Sequence, residues 1–304
     1  MFKNSLDNKR YHTLNYFYRQ KFNSKVFKIP LNANFSCPNK SAGGCIFCKD
    51  NSTVNFINSN DTLINQFKEA EEVLLKKWPN SKYIVYFQAG TNTYTSIKNL
   101  KNILNKFITL PKVVGISIAT RPDAIDDECL NYLCELNKKT FLTIELGLQT
   151  SNDTTLKLIN RGHNMNDFIK CLKRLQEKNI FTVAHIINGL PNDTKEDMLN
   201  TVKLLNQLKI DGIKIHMLYI LKETKIADLY LKNSFHVLEK EEYINIVCDQ
   251  LELLNEDIVI ERITGDPIKE DLIAPTWLLK KFCVLNDIDK EMLHRNSFQG
   301  KNSK

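Results

Sequence analysis

The sequence predicts an α/β fold: a partial (β/α)6 TIM-like barrel, open along one side, with a short α+β C-terminal extension. Three observations carry this expectation. Strand-like and helix-like hydrophobic periods alternate from residue 26 to residue 221, giving six strands separated by helices, an order that requires parallel strands and right-handed crossovers. The strands have one apolar and one polar face: Leu142, Ile144, Leu146 and Leu148 alternate with Thr143, Glu145, Gly147 and Gln149. A sheet covered by helices on both sides would be apolar on both faces. One polar face instead implies helices outside, a polar cavity inside, and a site at the C-terminal ends of the strands. Finally, no Gly-x-Gly-x-x-Gly precedes a helix, so a dinucleotide fold has little support.

Taken in order, residues 9–22 are aromatic and basic together. Such a stretch suits a surface helix packed by its rings, or base stacking beside phosphate neutralisation. Residues 26–31 form the first strand. Helix 63–78 is closed by Pro79 and leads to strand 83–87; helix 97–107 leads to strand 113–119. Helix 125–136 precedes strand 141–148, and helix 165–178 precedes strand 180–187. Helix 194–208, opened by a Thr194/Asp197 capping pair, precedes strand 213–221. There Ile213, Ile215 and Met217 oppose Lys214 and His216. The core is thus assigned to 23–235, after an N-terminal segment 1–22 and before an extension 236–304. The extension reads as helix 239–254, strand 258–263, a turn at 264–267, helices 277–284 and 288–294, and a polar tail at 299–304. Its natural place is against the open edge of the barrel, because an unpaired edge strand is a liability.

Chemistry concentrates in residues 35–48. Cys37, Cys45 and Cys48 have the spacing C-x7-C-x2-C directly after the first strand, and Gly43-Gly44 lets the backbone fold back so that all three can face one centre. Three soft ligands suit an iron–sulfur cluster or zinc. A closed zinc site needs a fourth ligand, and no Cys or His occurs between Cys48 and Cys129. Cys283 is a distant candidate, and three unligated thiols are the plain alternative. Cys129, Cys134, Cys171 and Cys248 read as small core residues on helices. Polar residues recur at successive strand ends: Gln88, Arg121, Glu145 and Gln149, His185 and Asn188, then His216. Arg161, in Asn160-Arg-Gly-His163, suits either a ligand carboxylate or a solvated helix end. Arg262 and Asp266 serve structure or substrate.

The bulk numbers bound the function. A chain of 304 residues with 42% hydrophobic content can bury a sizeable core. A net charge of +7 permits a polyanionic partner without requiring one. Eight cysteines without a secretory signal at the start read as reduced thiols of a cytoplasmic protein. No apolar run approaches the roughly 20 residues of a membrane span.

Several motifs carry a family resemblance. Three cysteines after the first strand of a six-fold βα repeat resemble the radical S-adenosylmethionine (SAM) enzymes, although the commonest spacing there is shorter. Thr120-Arg-Pro-Asp123, Glu145-Leu-Gly-Leu-Gln149 and Asn160-Arg-Gly-His163 resemble the branch of the Elongator catalytic subunit. The stretches 86–94, 185–191, 214–219 and 262–266 resemble the YtqA/YhcC-type radical SAM proteins more specifically, and the likeness runs over roughly residues 8–295.

The resemblance implies a barrel of the radical SAM type and a [4Fe-4S] cluster held by Cys37, Cys45 and Cys48, with one iron left for SAM. An electron, from a reducing donor such as flavodoxin or ferredoxin, would cleave SAM to a 5′-deoxyadenosyl radical. By motif position, Arg161, Glu145, Gln88, Arg121 and Gln149 would contact SAM. His185, His216, Asn188 and Arg262 would line the substrate side. The implied substrate is tRNA, at the anticodon region, within the 5-methylaminomethyl-2-thiouridine pathway of the wobble uridine. About 75 residues follow the barrel, too few for an acetyltransferase domain. A radical enzyme acting on a small metabolite or a protein, and a zinc-holding RNA-binding module without catalysis, are the alternatives.

Overall fold

The computed structural model describes residues 2–49 and 61–303; Met1 of the N-terminal segment and Lys304 of the expected polar tail lie outside them. Strands β1 (Val26–Leu31), β2 (Lys82–Phe87), β3 (Val113–Thr120), β4 (Phe141–Gln149), β5 (Phe181–Asn188) and β6 (Gly212–Met217) lie side by side in chain order, every pair parallel. Next, β7 (Ile220–Leu221) leaves the sheet, β8 (Val259–Arg262) returns as a seventh parallel strand beside β6, and β9 (Leu272–Ala274) pairs antiparallel with β7. The six-strand expectation therefore gains a strand. The extension covers the barrel's edge by hydrogen bonding to it.

Helices α1 (Leu14–Phe22), α2 (Leu63–Lys77), α3 (Ile97–Phe107), α4 (Asp127–Asn137), α5 (Asp153–Leu158), α6 (Met165–Glu177) and α7 (Lys195–Gln207) follow the expected order, with α5 an extra short turn after β4. Each begins on a residue that can accept from its first free amides: Thr13, Thr62, Ser96, Asp126, Asn152, Asn164 and Thr194. The capping pair at Thr194 and Asp197 is present, and Asn164 forms a second with Asp167. Beyond them, α8 (Lys225–Leu231), α9 (Lys240–Leu253) and α10 (Lys281–His294) complete the chain. No helix among the described residues is long and apolar enough to cross a membrane.

The two faces of the sheet divide as their alternation demands. Leu142, Ile144, Leu146, Leu148, Ile213, Ile215 and Met217 join the apolar core beneath the helices. The inner face is filled in layers. At the N-terminal ends of the strands, α1 closes the floor: Tyr18 packs with Val26 and Ile84, while Phe17 stacks on Phe181 with ring centroids 5.0 Å apart. Phe22 meets Phe141 edge-on at 5.6 Å. The aromatic, basic stretch thus spends its rings on packing, leaving Asn15, Arg19, Gln20 and Lys21 exposed. Just before α1, the His12 carbonyl accepts from the Ile260 amide at 2.9 Å, tying the N-terminal segment to β8. Above the floor, Lys28 of β1 reaches Glu261 of β8 at 2.5 Å, joining the first and last strands across the open side. Above that layer the half-barrel is hollow.

Candidate active site at the mouth of the half-barrel

A cavity of about 850 Å³ opens at the C-terminal strand ends. Its wall includes Cys37, Cys45, Cys48, Gln88, Arg121, Glu145, Gln149, Arg161, His185, His216 and Arg262. Asn188 is not in the wall. Its side chain exchanges two amide hydrogen bonds with buried Gln250 of α9, at 2.8 and 2.9 Å, so it locks the extension onto β5 and presents nothing to a ligand. Cys283 is exposed on α10 and lies outside the cavity wall.

The cysteine loop is shaped from within and clamped from both sides. Cys37 leads into a 3-10 turn that opens on Pro38, and Gly43 and Gly44 take φ of 87° and 68°, which only glycine adopts freely. The Gly44 amide then donates to the Asn39 carbonyl at 2.8 Å, and the Cys48 amide to the Cys45 carbonyl at 3.0 Å. From the β4 side, Asn160 Nδ2 donates to the carbonyls of Ala42 and Gly44 at 2.9 and 2.7 Å. From the start of α8, Lys225 Nζ holds the Gly43 carbonyl at 2.9 Å. The helix-end reading of Asn160-Arg-Gly-His163 gives way to a clamp: Arg161 is buried, with Nη1 3.5 Å from Cys45 Sγ and Nη2 2.7 Å from the Gly147 carbonyl. Gly147 leaves room for that guanidinium: a Cβ there would stand 2.5 Å from Arg161 Nη2 and would force it to shift.

On the opposite side Gly90, at φ 77°, lies against residue 35, where a Cβ would meet the Phe35 carbonyl oxygen at 2.3 Å. Gly90→Ala is expected to lower stability by about 1–3 kcal/mol, read as a shift in the urea midpoint. An unchanged midpoint would show that this contact does not seat the loop.

Charge follows the clamp. Cys48 donates its proton toward Cys45, and this bond, with Arg161 and Arg121 nearby, pulls the Cys45 thiol well below its ordinary value against the effect of burial. The same bond pushes the Cys48 thiol up. Arg121 is committed to structure: it grips both Asp123 oxygens at 2.9 and 2.7 Å and donates to the Arg161 carbonyl at 2.7 Å. His163 gives Nε2 to the Gly147 carbonyl at 3.1 Å, and burial and the two arginines bring it down to about 4. Gln149 takes φ 81° at an irregularity in the β4–β5 pairing, a strained position for glutamine and one typical of functional sites. Arg262 pairs with Asp266 at 3.2 Å. Among the described residues no three His, Cys, Asp or Glu side chains gather around one ion-sized point.

Below the cysteines lies a buried polar network that sequence reasoning only partly reached. Glu145, fully buried, accepts from Lys28 and Ser117 on Oε1, at 2.7 and 2.6 Å. Its Oε2 accepts from Tyr86 and His185, both at 2.7 Å, and from Lys214. Burial alone would push this carboxyl up; Lys214, Lys28 and His185 hold it well below the ordinary carboxylate range. Glu261 balances the second lysine. Lys28, Ser117, Tyr86 and Glu261 were not expected at the site. A charge inside an apolar strand, as in Val26-Phe-Lys-Ile29, was the available signal for Lys28.

The radical SAM superfamily profile matches residues 35–205, and the radical SAM C-terminal domain profile residues 210–294. YtqA of Bacillus subtilis is 43% identical over 298 residues, spanning 96% of this chain and 92% of YtqA. YhcC of Escherichia coli K12 is 27% identical over 92% of this chain and 91% of its own length. A tRNA uridine(34) acetyltransferase of Methanocaldococcus infernus is 24% identical over 51% of this chain, a match confined to 29% of that enzyme. In three dimensions, the archaeal Elp3 of Methanocaldococcus infernus with its N-terminus deleted superposes with a TM-score of 0.69 at 18% identity. That match covers 91% of this chain, which spans 64% of the Elp3 chain.

Proposed function

The chain belongs to the radical SAM superfamily and is a radical SAM enzyme, and from that premise we propose that its substrate is tRNA, modified at the side chain of the wobble uridine. The donor set fits the family's cofactors. Three cysteines lining one cavity fit a [4Fe-4S] cluster, in which each cysteine takes its own iron and the fourth iron is left without a protein thiolate. Cys37, Cys45 and Cys48 would hold it. Cluster and SAM together supply one-electron chemistry able to break an unactivated C–H bond.

The chain's own residues divide the remaining work. Arg161 lines the cavity with its guanidinium beside Cys45, and a cation so placed suits the carboxylate of SAM. Gln88 and Gln149 offer neutral amides on either side of the mouth. Glu145 already accepts from five donors, so we assign it to positioning its neighbours rather than to contacting SAM.

The substrate assignment rests on the resemblance to an enzyme named for tRNA uridine(34). The net charge of +7 and the exposed Lys40 and Lys225 at the cavity wall are in keeping with it. Mass spectrometry of tRNA nucleosides from cells with and without the gene tests the proposal. A wobble-uridine derivative should disappear in the deletion strain while its precursor accumulates. An unchanged nucleoside profile would overturn the assignment.

A further inference from the structure

The hydrogen bonds beneath the cavity have a fixed direction. Glu145 is held ionised by the lysines around it, and an ionised carboxylate only accepts. The hydrogen between Glu145 Oε2 and His185 Nε2, which are 2.7 Å apart, therefore belongs to the imidazole. Burial lowers the affinity of His185 for a second proton, outweighing the pull of Glu145. A neutral imidazole protonated at Nε2 carries a lone pair at Nδ1. That atom has no hydrogen-bond partner among the described residues, and the side chain is 20% exposed where it lines the cavity.

His216, on the neighbouring strand, stands with its ring centroid 5.7 Å from that of His185 and lines the same wall. Burial, then the neighbouring His185, Arg262 and Lys214, keep it neutral. Neither of its nitrogens bonds to another described residue. It therefore retains one N–H to give. An acceptor with a locked tautomer next to an available donor complements a ligand edge that carries N–H beside C=O.

We propose that His185 and His216 read the –CO–NH– edge of a uracil-type base, Nδ1 of His185 accepting from the ring N–H and His216 donating to the adjacent carbonyl. This rests on the tRNA reading above and adds to it the means of choosing the base. Cytosine carries a bare ring nitrogen in place of that N–H, so a lone pair would face the His185 lone pair. Leaving such a buried group unmet weakens binding on the order of 10- to 100-fold.

The test is equilibrium binding of three anticodon stem-loops to the full-length, cluster-reconstituted protein, with uridine, N3-methyluridine or cytidine at the wobble position. Wild type should favour uridine on the order of 10- to 100-fold over both others. His185→Ala and His216→Ala should each flatten that preference while keeping the salt-dependent part of the affinity, which comes from phosphate contacts. The comparison of stem-loops on wild type stands even if a variant does not fold. Binding without preference among the three, or a preference that survives in both variants, overturns the histidine pair and leaves the tRNA substrate intact. Failure of wild type to bind any stem-loop overturns both.

Discussion

Replacing Cys45 by alanine is expected to abolish SAM cleavage and to lower the iron bound after anaerobic reconstitution, with far-UV circular dichroism unchanged. The loop that carries Cys45 is seated mainly by contacts that do not involve the sulfur, beyond the two long contacts of Arg161 and Asn39 to Sγ at 3.5 Å. Asn160 holds two of its carbonyls, Lys225 a third, and the Ile46 amide donates to the Ile159 carbonyl at 3.1 Å. Losing one thiol from a loop so fixed should cost about 1 kcal/mol, a typical single-site effect, against roughly 5–15 kcal/mol for a whole domain. Chemistry and fold should therefore separate. Cys129→Ala is the control: Cys129 is buried on α4, outside the cavity wall, and burial pushes its thiol up to about 12. A protonated core thiol is no ligand. Wild-type iron and SAM cleavage in Cys45→Ala would remove the three-cysteine site. Stoichiometric zinc in place of iron in the wild-type protein would return the non-catalytic alternative.

Much of the fold was legible because period and capping agree. The 2-residue alternation in β4 states which side of the strand is core, and the helices after β1 to β5 open on residues that cap them. The seventh strand was harder to read. Residues 258–263 look like a strand, but no local signal says that Lys214 of β6 will register with Arg262. Pairing partners so distant in sequence are set by the finished sheet. The cysteine loop was legible from spacing alone; its clamp was not. Arg161 looks like a helix-end arginine until Gly147 and Gly162 are seen to make room for the Arg161 and Asn39 side chains. Asn188 shows the converse. Its position at a strand end matched the other candidates, yet Gln250, 62 residues later, takes both its donor and its acceptor. The aromatic N-terminal stretch fitted two uses, and only the position of α1 under Phe141 and Phe181 selects packing.

Glu145→Gln is expected to be among the most destabilising single changes in the chain. The substitution keeps the shape but removes the charge that Lys28 and Lys214 share, leaving two buried ammonium groups to Glu261 alone. An amide would also turn N–H groups toward atoms that already donate. Breaking a buried ion pair from one side costs about 3–5 kcal/mol, a large part of the total stability, and urea denaturation would register it directly. Because the folded-state carboxyl lies below its ordinary value of 4.5, its contribution is complete above that pH and is lost as the pH falls through the lower, folded-state value. Wild type should therefore lose stability on acidification below about pH 4.5 more steeply than Glu145→Gln, which has no carboxyl at that position to protonate. Adding Lys214→Met to Glu145→Gln removes the surplus charge, so the double variant should recover part of the loss. A cost below about 1 kcal/mol for the single variant, the range of exposed pairs, would mean that water screens the network. The carboxylate would then no longer dictate the tautomer of His185, and the base-reading pair above it would lose its anchor.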